Sequence, residues 1–507
     1  MTSPNAVEPD PNPITTASAV SSAHTQMDRS LATSLAWRAT ADWSSQILSW
    51  ASLVIVARLL SPADFGIVSM AVILLPYLKY VSEFGIPRAI ITLRDMSQEQ
   101  IAQLNTIAVL MGLTCFGVAS LMAKPVAIFF RTQALAPVVI VTCLVLIPQG
   151  ARAVSEGLLS RDMKFGELSF FDAINAIVTA VTTLVLAILG YGYWSLVIGN
   201  VVGVSVRCVL LLRSRPHRFA LPRLSRVREP LQFGWHVLVS TVALNSYQRL
   251  DNLTAGRVLG QTALGFYGIA WNLANVPLEK VTSLVTYVIP SYLAAVQSDL
   301  SAVRRYVRTL TEGLALATFP ATIGLGLVAR ELIPLAFGPK WNAVVLPLEI
   351  LSVYAAFRSI PAFLAKVLTA MGNARYVMWN DLVALGILPI AFYVGSHWGI
   401  AGIAWGWVLA YPLVAIPLYR KTIQTIGMGS GEYFRALRPA LSGTLVMVIA
   451  VVIAKYVLPA GQPLVVRLVL EIVIGVLAYT SAVLLLHGDR ALVFINMARS
   501  LRQAEGQ

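Results

Sequence analysis

The feature that most restricts the fold of this chain is a succession of apolar segments, about fourteen in number, each roughly 20 residues long. A helix of that length crosses the hydrocarbon core of a bilayer. Gly, Pro or charged residues flank the segments. The segments do not alternate between apolar and polar residues, as the strands of an outer-membrane barrel would. The sequence therefore predicts an all-α integral membrane protein with about 14 transmembrane helices. The segments begin near Leu35, Gly66, Gln103, Leu135, Ser169, Trp194, Leu231, Ala263, Tyr306, Ala343, Val377, Ile400, Ala436 and Leu464.

Composition excludes several other classes of protein. The chain is 57% hydrophobic and only 12% charged, which the surface of a soluble globular protein of 507 residues does not tolerate. A net charge of +14 would indicate nucleic-acid binding in a soluble protein. Here the basic residues stand in short clusters between apolar segments, so no nucleic-acid partner is predicted.

No residue pattern indicates catalysis or a cofactor. Cys115, Cys143 and Cys208 lie inside apolar segments without metal-binding spacing, so neither a disulfide framework nor a metal site is predicted. The chain lacks a GxxxxGKS/T phosphate loop, a GxSxG nucleophile motif and an HExxH motif. We therefore expect no enzymatic activity and no cofactor.

Lysine and arginine alternate between two sets of loops, as expected when basic residues are retained on the cytoplasmic side of a membrane. If the N-terminus is inside, 27 of the 38 basic residues fall on the inner side. Four are unassigned, namely Arg249, Lys280, Arg358 and Arg467. The outer side holds seven: Arg58, Lys124, Arg131, Arg257, Arg330, Lys340 and Lys455.

The chain also contains a weak internal repeat. Residues 57–71 align with residues 256–270 and pair Gly66 with Gly265, while residues 190–202 echo residues 396–408. An offset of roughly 200 residues spans six apolar segments, an even number, so both copies would have the same orientation. The repeat predicts two parallel six-helix lobes followed by two extra helices.

This division gives five predicted regions. They are a disordered cytoplasmic tail at 1–34, an N-terminal six-helix lobe at 35–212, a basic cytoplasmic linker at 213–229, a C-terminal six-helix lobe at 230–425, and two extra helices with a cytoplasmic tail at 426–507.

Polar residues on the first helix are the first candidate site. Arg38, Asp42, Ser45, Ser49 and Ser52 recur at spacings of three and four, which places them in one stripe. One interpretation is that the stripe lines a hydrated cavity, because charged groups at membrane depth need partners or water. The other is that Arg38 and Asp42 form an intrahelical ion pair and the serines only allow close helix packing.

The corresponding helix of the second lobe carries its own stripe, with Asn245 and Arg249 beside it. The alternative is that Asp251 only pairs with Arg257 at the outer interface. His236 is more simply explained as an interfacial or capping residue than as a proton relay. Arg358 is the deepest cation by position, so it is a further candidate for a cavity. The stripe consists of His236, Ser240, Tyr247, Asp251 and Thr254.

Four segments resemble Wzx-type oligosaccharide flippases, a family related to lipid II flippases and MATE exporters. They are ARLLSPADFGIVSMA at 57–71, EFGIPRAII at 83–91, GLLSRDMKFGEL at 157–168 and, most specifically, the segment at 250–299 that begins with LDNLTAGRVLG. The resemblance covers about residues 35–420 and fades in the last two helices.

The resemblance implies a bacterial inner-membrane protein that moves a polyprenyl-diphosphate-linked oligosaccharide from the cytoplasmic to the periplasmic leaflet by alternating access. Membrane lipid, a polysaccharide polymerase and a chain-length regulator are the other partners it implies. It places cavity cations at Arg38 and Arg249. This chain has one arginine well inside the first helix, where lipid II flippases have several.

Two other functions fit an all-helical membrane chain. One is export of drugs or small solutes by a MATE-type protein, which the resemblance to the polysaccharide group disfavours. The other is a membrane-embedded polysaccharide polymerase, which would be expected to show a large periplasmic loop, and the sequence has none.

The even number of segments and the distribution of basic residues predict that both termini are cytoplasmic. Alkaline phosphatase fused to the C-terminus should therefore be inactive, because the enzyme matures only in the periplasm. High phosphatase activity of that fusion would show that one helix has been miscounted.

Overall fold

The computed structural model describes residues 49–93, 95–286, 299–459 and 461–504. At 224, 240, 243–246, 283–286 and 489–504 it describes the backbone alone. Within these residues all regular structure is helical and no strand occurs. Eleven helices in the described ranges are long and apolar enough to cross a membrane. The prediction of an all-α membrane protein is thus confirmed.

Three further helices overlap the other three predicted segments, and residues 35–48 of the first segment lie outside the described residues. The three helices are Ser49–Leu59, Leu224–Asn245 and Gln261–Thr286.

The helices are numbered in chain order, and α1–α9 are called the N-terminal half. These are α1 (Ser49–Leu59), α2 (Pro62–Val72), α3 (Leu75–Glu83), α4 (Ile86–Thr92), α5 (Gln98–Phe129), α6 (Leu135–Cys143), α7 (Leu146–Arg161), α8 (Phe165–Ile188) and α9 (Tyr193–Ser214).

The C-terminal half comprises α10–α17, and α18 and α19 follow it. The helices are α10 (Leu224–Asn245), α11 (Leu250–Thr254), α12 (Gln261–Thr286), α13 (Leu300–Leu327), α14 (Ala329–Ala336), α15 (Val345–Ala370), α16 (Ala374–Ser396), α17 (Gly399–Ile426), α18 (Ser430–Val457) and α19 (Leu464–Ala504, bent at His487). Short 3-10 and π-helical turns connect α10, α11 and α12.

Local signals in the sequence start several of these helices. The Ser61 hydroxyl accepts from the Asp64 amide while Asp64 accepts from the Ser61 amide, a reciprocal cap at the start of α2. Ser97 and Gln100 repeat the arrangement at α5. Asp299 accepts from two backbone amides at the start of α13. Each cap satisfies amides that a helix end otherwise leaves unpaired.

The two halves meet most closely where α2 crosses α12. A Cβ added at Gly66 would lie 1.7 Å from the Gln261 carbonyl oxygen, and one added at Gly265 would lie 1.9 Å from the Pro62 carbonyl oxygen. The residues that the internal repeat pairs therefore both lie at this crossing. Only glycine allows two helix backbones to approach so closely.

Polar contacts close the same end of the bundle. The Lys340 ammonium donates to the Arg58 and Leu60 carbonyls at 2.8 and 2.7 Å, and the buried Trp341 indole donates to the Ala57 carbonyl at 2.9 Å. These bonds satisfy the free carbonyls at the C-terminal end of α1. They join the first described helix to the 3-10 turn that precedes α15.

A second close approach joins the halves at the opposite end, where the α9–α10 connection also lies. Phe84 and Gly85 both have left-handed backbone angles, with φ of 44° and 65°, and separate α3 from α4. A Cβ at Gly234 of α10 would lie 2.3 Å from the Phe84 carbonyl oxygen. The break between α3 and α4 thus packs directly on the backbone of α10.

Buried ion pairs attach the last two helices to the C-terminal half. Lys455 of α18 lies 2.7 Å from Glu331 of α14 and 3.2 Å from Glu471 of α19. Arg467 adds a weaker contact to Glu331 at 3.9 Å. Both carboxylates are almost fully buried, so each needs these cations to compensate for lost hydration.

Replacement of Gly66 by Ala should destabilise the protein, because the new methyl group overlaps the Gln261 carbonyl and must push α2 away from α12. We expect a loss of about 1–3 kcal/mol. Gly117→Ala in α5 is the matched control, since no atom lies within 4 Å of its added Cβ, and it should be neutral or stabilising by up to about 1 kcal/mol. Thermal unfolding of the purified protein measures both, and equal melting temperatures would contradict the crossing.

Candidate functional site

A cavity of about 550 Å³, which we call the chamber, lies within the C-terminal half and is lined by α15, α16, α17 and the turn after α10. Its volume falls in the range of sites for small organic groups. Its polar lining residues are Tyr247, Gln248, Arg358, Lys366, Thr369, Asn380, Asp381 and Tyr411.

Helix α15 supplies seven of the sixteen residues that line the chamber. Arg358, Ala362, Ala365 and Thr369 recur at spacings of four, three and four, so they form one stripe along the helix, and Lys366 lies beside Ala365. The small alanines leave space between the two cations and the hydroxyl. This spacing places two positive charges about two helical turns apart on one wall.

Two residues of α12 position the Arg358 guanidinium. Its Nη1 donates to the Asn275 Oδ1 at 3.1 Å, and its Cζ lies 5.9 Å from the centroid of the Trp271 ring. Asn275 in turn donates to the Trp271 carbonyl at 2.8 Å, which fixes its amide. Asn275 and Trp271 are four residues apart and therefore share a helix face. A single neutral acceptor leaves the positive charge of Arg358 available to an anion.

A layer of aromatic rings separates the chamber from the centre of the half. Tyr354 stacks on Trp407 at 4.7 Å between ring centroids and meets Tyr411 edge-on at 5.2 Å, while Trp271 lies 5.3 Å from Trp407. Trp407 and Tyr354 are almost completely buried. Such pairs add to the apolar burial of each ring and make this layer rigid.

Asp251 lies beneath that layer and is fully buried. Its Oδ2 accepts from the Tyr267 hydroxyl at 2.9 Å and the Trp407 indole at 3.1 Å. Its Oδ1 accepts from the Asn252 amide nitrogen at 2.7 Å and side chain at 3.0 Å. In the part of the chain that the structure describes, no Lys, Arg or His nitrogen pairs with it within 4.0 Å. Four neutral donors thus hold this carboxylate.

A second charged cluster occupies the N-terminal half at the end where α9 meets α10. Buried Arg152 lies 3.5 Å from Glu83 and contacts Glu156 more closely, and Arg207 lies 3.3 Å from Glu156 and 2.6 Å from Asp172. Charges of both signs alternate in this cluster. It therefore neutralises itself and presents less free charge than the chamber.

The predicted site residues fall into three groups. Arg38, Asp42 and Ser45 lie outside the described residues, and the side chain of Asn245 at the end of α10 is also outside them. Ser49 opens α1 and is exposed, and Arg249 is exposed in the turn that carries Tyr247 and Gln248 of the chamber. Asp251 is enclosed by its donors, and Arg358 lines the chamber. Among the described residues, no three His, Cys, Asp or Glu side chains form a group that could hold a metal.

Sequence reasoning missed the companions of Arg358 in the chamber. Lys366, Asp381 and Tyr411 line it together with Arg358. The spacing of Arg358, Ala362, Lys366 and Thr369 carried a detectable signal, because small and polar residues recur there on one helix face. No such signal exists for Asp381 and Tyr411, which come from other helices.

A family model described as "Polysaccharide biosynthesis protein" matches residues 55–346, more than half of the chain. The chain belongs to this family. The chain is similar to WzxC of Escherichia coli K12, a lipopolysaccharide biosynthesis protein, with 24% identity over 77% of this chain and 80% of WzxC. It is also similar to ExoT of Rhizobium meliloti 1021, a succinoglycan biosynthesis transport protein, with 23% identity over 89% of this chain and 92% of ExoT.

The solved structure of the lipid II flippase MurJ in an inward closed conformation has a similar fold. It superimposes with a TM-score of 0.73 at 14% identity and covers 89% of this chain and 99% of MurJ. The family model confirms the predicted membership of the polysaccharide group, and the match to MurJ shows a shared fold.

The hydrogen bonds to Asp251 predict that Asp251→Asn lowers stability. An amide replaces a charged acceptor by a neutral one and turns an NH2 group toward donors, which should cost about 2 kcal/mol. Asp381→Asn is the control, since Asp381 lines the chamber without a described hydrogen bond and should change the melting temperature little. Equal melting temperatures for Asp251→Asn and the unmodified protein would show that these bonds contribute nothing.

Proposed function

We propose that this protein is a flippase that moves polyprenyl-diphosphate-linked oligosaccharide repeat units from the cytoplasmic to the periplasmic leaflet for exopolysaccharide or O-antigen synthesis. Membership of the polysaccharide biosynthesis family supports this proposal. Two relatives with similar sequences along most of the chain carry names from lipopolysaccharide and succinoglycan synthesis.

The observation that carries the proposal is the chamber that contains Arg358 and Lys366. A diphosphate-sugar headgroup cannot enter hydrocarbon unaided, because its charges and hydroxyls would lose their hydration. Cations match the phosphates, while amides and hydroxyls such as Asn380 and Tyr411 match sugars. The prenyl chain needs no such site, because it remains in lipid.

The chain most simply forms two six-helix lobes and two extra helices, with 14 transmembrane helices in all. The lobes would correspond to residues 35–212 and 230–425, joined by the linker at 213–229. Alternating access then requires that one end of the interface between lobes opens while the other stays closed. The glycine approaches of α2 with α12 and of α4 with α10 are the contacts that such rocking would exchange.

The predicted residues of the first and seventh helices complete this proposal. Arg38, Asp42, Ser45 and Ser49 would line the path from the cytoplasmic side, and Asn245 and Arg249 would flank it near the chamber. Asp251 would hold the aromatic layer next to the chamber in place through its hydrogen bond from Trp407.

The protein would lie in the bacterial inner membrane with both termini cytoplasmic. A polysaccharide polymerase and a chain-length regulator would take up the flipped units.

A deletion strain complemented with variants tests the proposal. Loss of the protein should halt surface or secreted polysaccharide and leave lipid-linked units facing the cytoplasm. Arg358→Ala should reduce polysaccharide output per molecule about tenfold or more, and Arg358→Lys should retain part of it, because an ammonium keeps the charge without the fork that matches phosphate.

Output is normalised to the amount of protein in the membrane, which separates loss of transport from loss of folding. Arg330→Gln is the matched control, since Arg330 is an exposed arginine on α14 that pairs with Glu349. Normal polysaccharide in the deletion strain, in the absence of a second flippase, would falsify the proposed function. Full activity per molecule in Arg358→Ala would show that the chamber does not take part in transport.

A further inference from the structure

The connection between α9 and α10 is bound along the end of the N-terminal half. Thr106 on α5 donates from its hydroxyl to the Ala220 carbonyl at 2.9 Å and accepts from the Ala220 amide at 3.2 Å. The Gln103 side chain accepts from the Arg223 amide at 3.2 Å, and the Gln100 side chain donates to the Arg226 carbonyl at 2.9 Å. The hydrogen bonds hold an extended segment against the first two turns of α5.

A second helix holds the beginning of the same segment. The Ser155 hydroxyl of α7 donates to the Arg215 carbonyl at 3.3 Å and lies 2.8 Å from the Nε2 of His217. The segment at 215–223 therefore bridges α5 and α7, and we call it the strap. It leads directly into α10, the first helix of the C-terminal half.

A cavity of about 580 Å³ lies between the strap, α5 and α7. Its size suits a compact ligand. Seven of the thirteen residues that line it are polar or charged. Its charged and titratable lining residues are Glu99 of α5, Arg161 and Asp162 of α7, and Arg215, His217 and Arg218 of the strap.

The two carboxylates already have partners. Asp162 is in close contact with Arg215 and lies 4.0 Å from the Nε of Arg161. Glu99 is in close contact with Arg226 and lies 4.0 Å from Arg223. Five arginines therefore surround two acids, and positive charge is left over.

Two groups of the cavity lack a described partner. In the described part of the chain, no carboxylate pairs with the guanidinium of Arg218, and the buried Nδ1 of His217 makes no hydrogen bond. The guanidinium groups of Arg161 and Arg218 come from different elements, α7 and the strap, and both residues line the cavity. A planar guanidinium binds phosphate oxygens in pairs, and neutral sugars would not account for the excess charge.

We propose that the cavity beneath the strap is a binding site for a phosphate or diphosphate group, with Arg161 and Arg218 as the main cations. The site is separate from the chamber around Arg358 and does not depend on the proposed transport activity. Two sources supply this chemistry at the end of a membrane bundle, a soluble phosphorylated compound and the headgroup of an anionic phospholipid. A bound anion would join the strap to α7 and so restrain the entry to α10.

His217 makes the binding sensitive to pH. Burial lowers the pKa of His217, so the ring is neutral near pH 7 when the cavity is empty. The charged groups that face it are Arg161 and Asp162 from α7, Glu99 from α5, and its strap neighbours Arg215 and Arg218. An anion in the cavity would raise this pKa again by favouring the imidazolium. The affinity should therefore be higher at mildly acidic pH than at neutral pH.

Calorimetry on the full-length protein in nanodiscs of neutral phosphatidylcholine, titrated with inorganic diphosphate at constant ionic strength, tests the site. Saturable binding is expected. Arg161→Gln and Arg218→Gln should each weaken it about tenfold or more, and Arg218→Lys should lie between. Arg375→Gln is the matched control, because Arg375 is an exposed arginine on the other half.

Unchanged affinity in both glutamine variants, an equal loss in the Arg375 control, or no saturable binding at millimolar diphosphate would each overturn the site. Melting temperatures measured without diphosphate identify a variant that has lost its fold, and Arg218→Lys then serves in its place.

A second arm identifies the source of the anion. In nanodiscs that contain phosphatidylglycerol, loss of diphosphate binding shows that the lipid headgroup occupies the cavity. Retained binding assigns it to a soluble phosphate compound. Either result supports the site.

A third arm uses inorganic sulfate, whose charge stays constant between about pH 6 and 8, around the ordinary histidine pKa of about 6.5. The unmodified protein should bind sulfate more tightly at the lower pH. His217→Gln, which keeps an amide near the Ser155 hydroxyl, should lose this dependence. The same pH dependence in His217→Gln would refute the role of the histidine.

Discussion

Charged side chains between apolar helices must find their partners inside the bundle, because hydrocarbon offers none. This requirement organises the C-terminal half. Asp251 is enclosed by four neutral donors, whereas Arg358 has one amide acceptor and an aromatic face. The carboxylate is therefore saturated, and the guanidinium retains capacity for a ligand. The same requirement explains the self-neutralising cluster around Arg152 and the ion pairs of Lys455.

The contacts between the two halves have a different character. They rest on glycines at both ends, with Gly66 and Gly265 at one and Gly85 and Gly234 at the other. At these glycines the helix backbones touch directly, without side chains between them. A transporter that exchanges one closed end for the other needs interfaces of this kind. Near the α2–α12 crossing, directional hydrogen bonds from Lys340 and Trp341 to the end of α1 add to the glycine contacts.

The strap gives the connection between the halves a defined position. A linker predicted only from its basic composition is bound to α5 and α7 by hydrogen bonds from Thr106, Gln103 and Ser155. Arg215 and Arg218 of the strap line one cavity. Basic residues that orient a membrane protein can therefore also line a binding site, because the hydrogen bonds of the strap backbone determine where each guanidinium lies.

Sequence alone determined the helical membrane class, the positions of most helices, and the family. These properties depend on local hydropathy and on residues a few positions apart, which the chain displays directly. The repeat even paired Gly66 with Gly265, which meet at one crossing. Tertiary structure alone decided that Asp251 is enclosed while Arg358 opens to a chamber with Lys366, Asp381 and Tyr411. The partners of Asp251 and Arg358 lie on other helices, as with Trp407, 156 positions beyond Asp251. Which side chains meet is set by the rotation and packing of whole helices, and spacing within one segment does not contain that information.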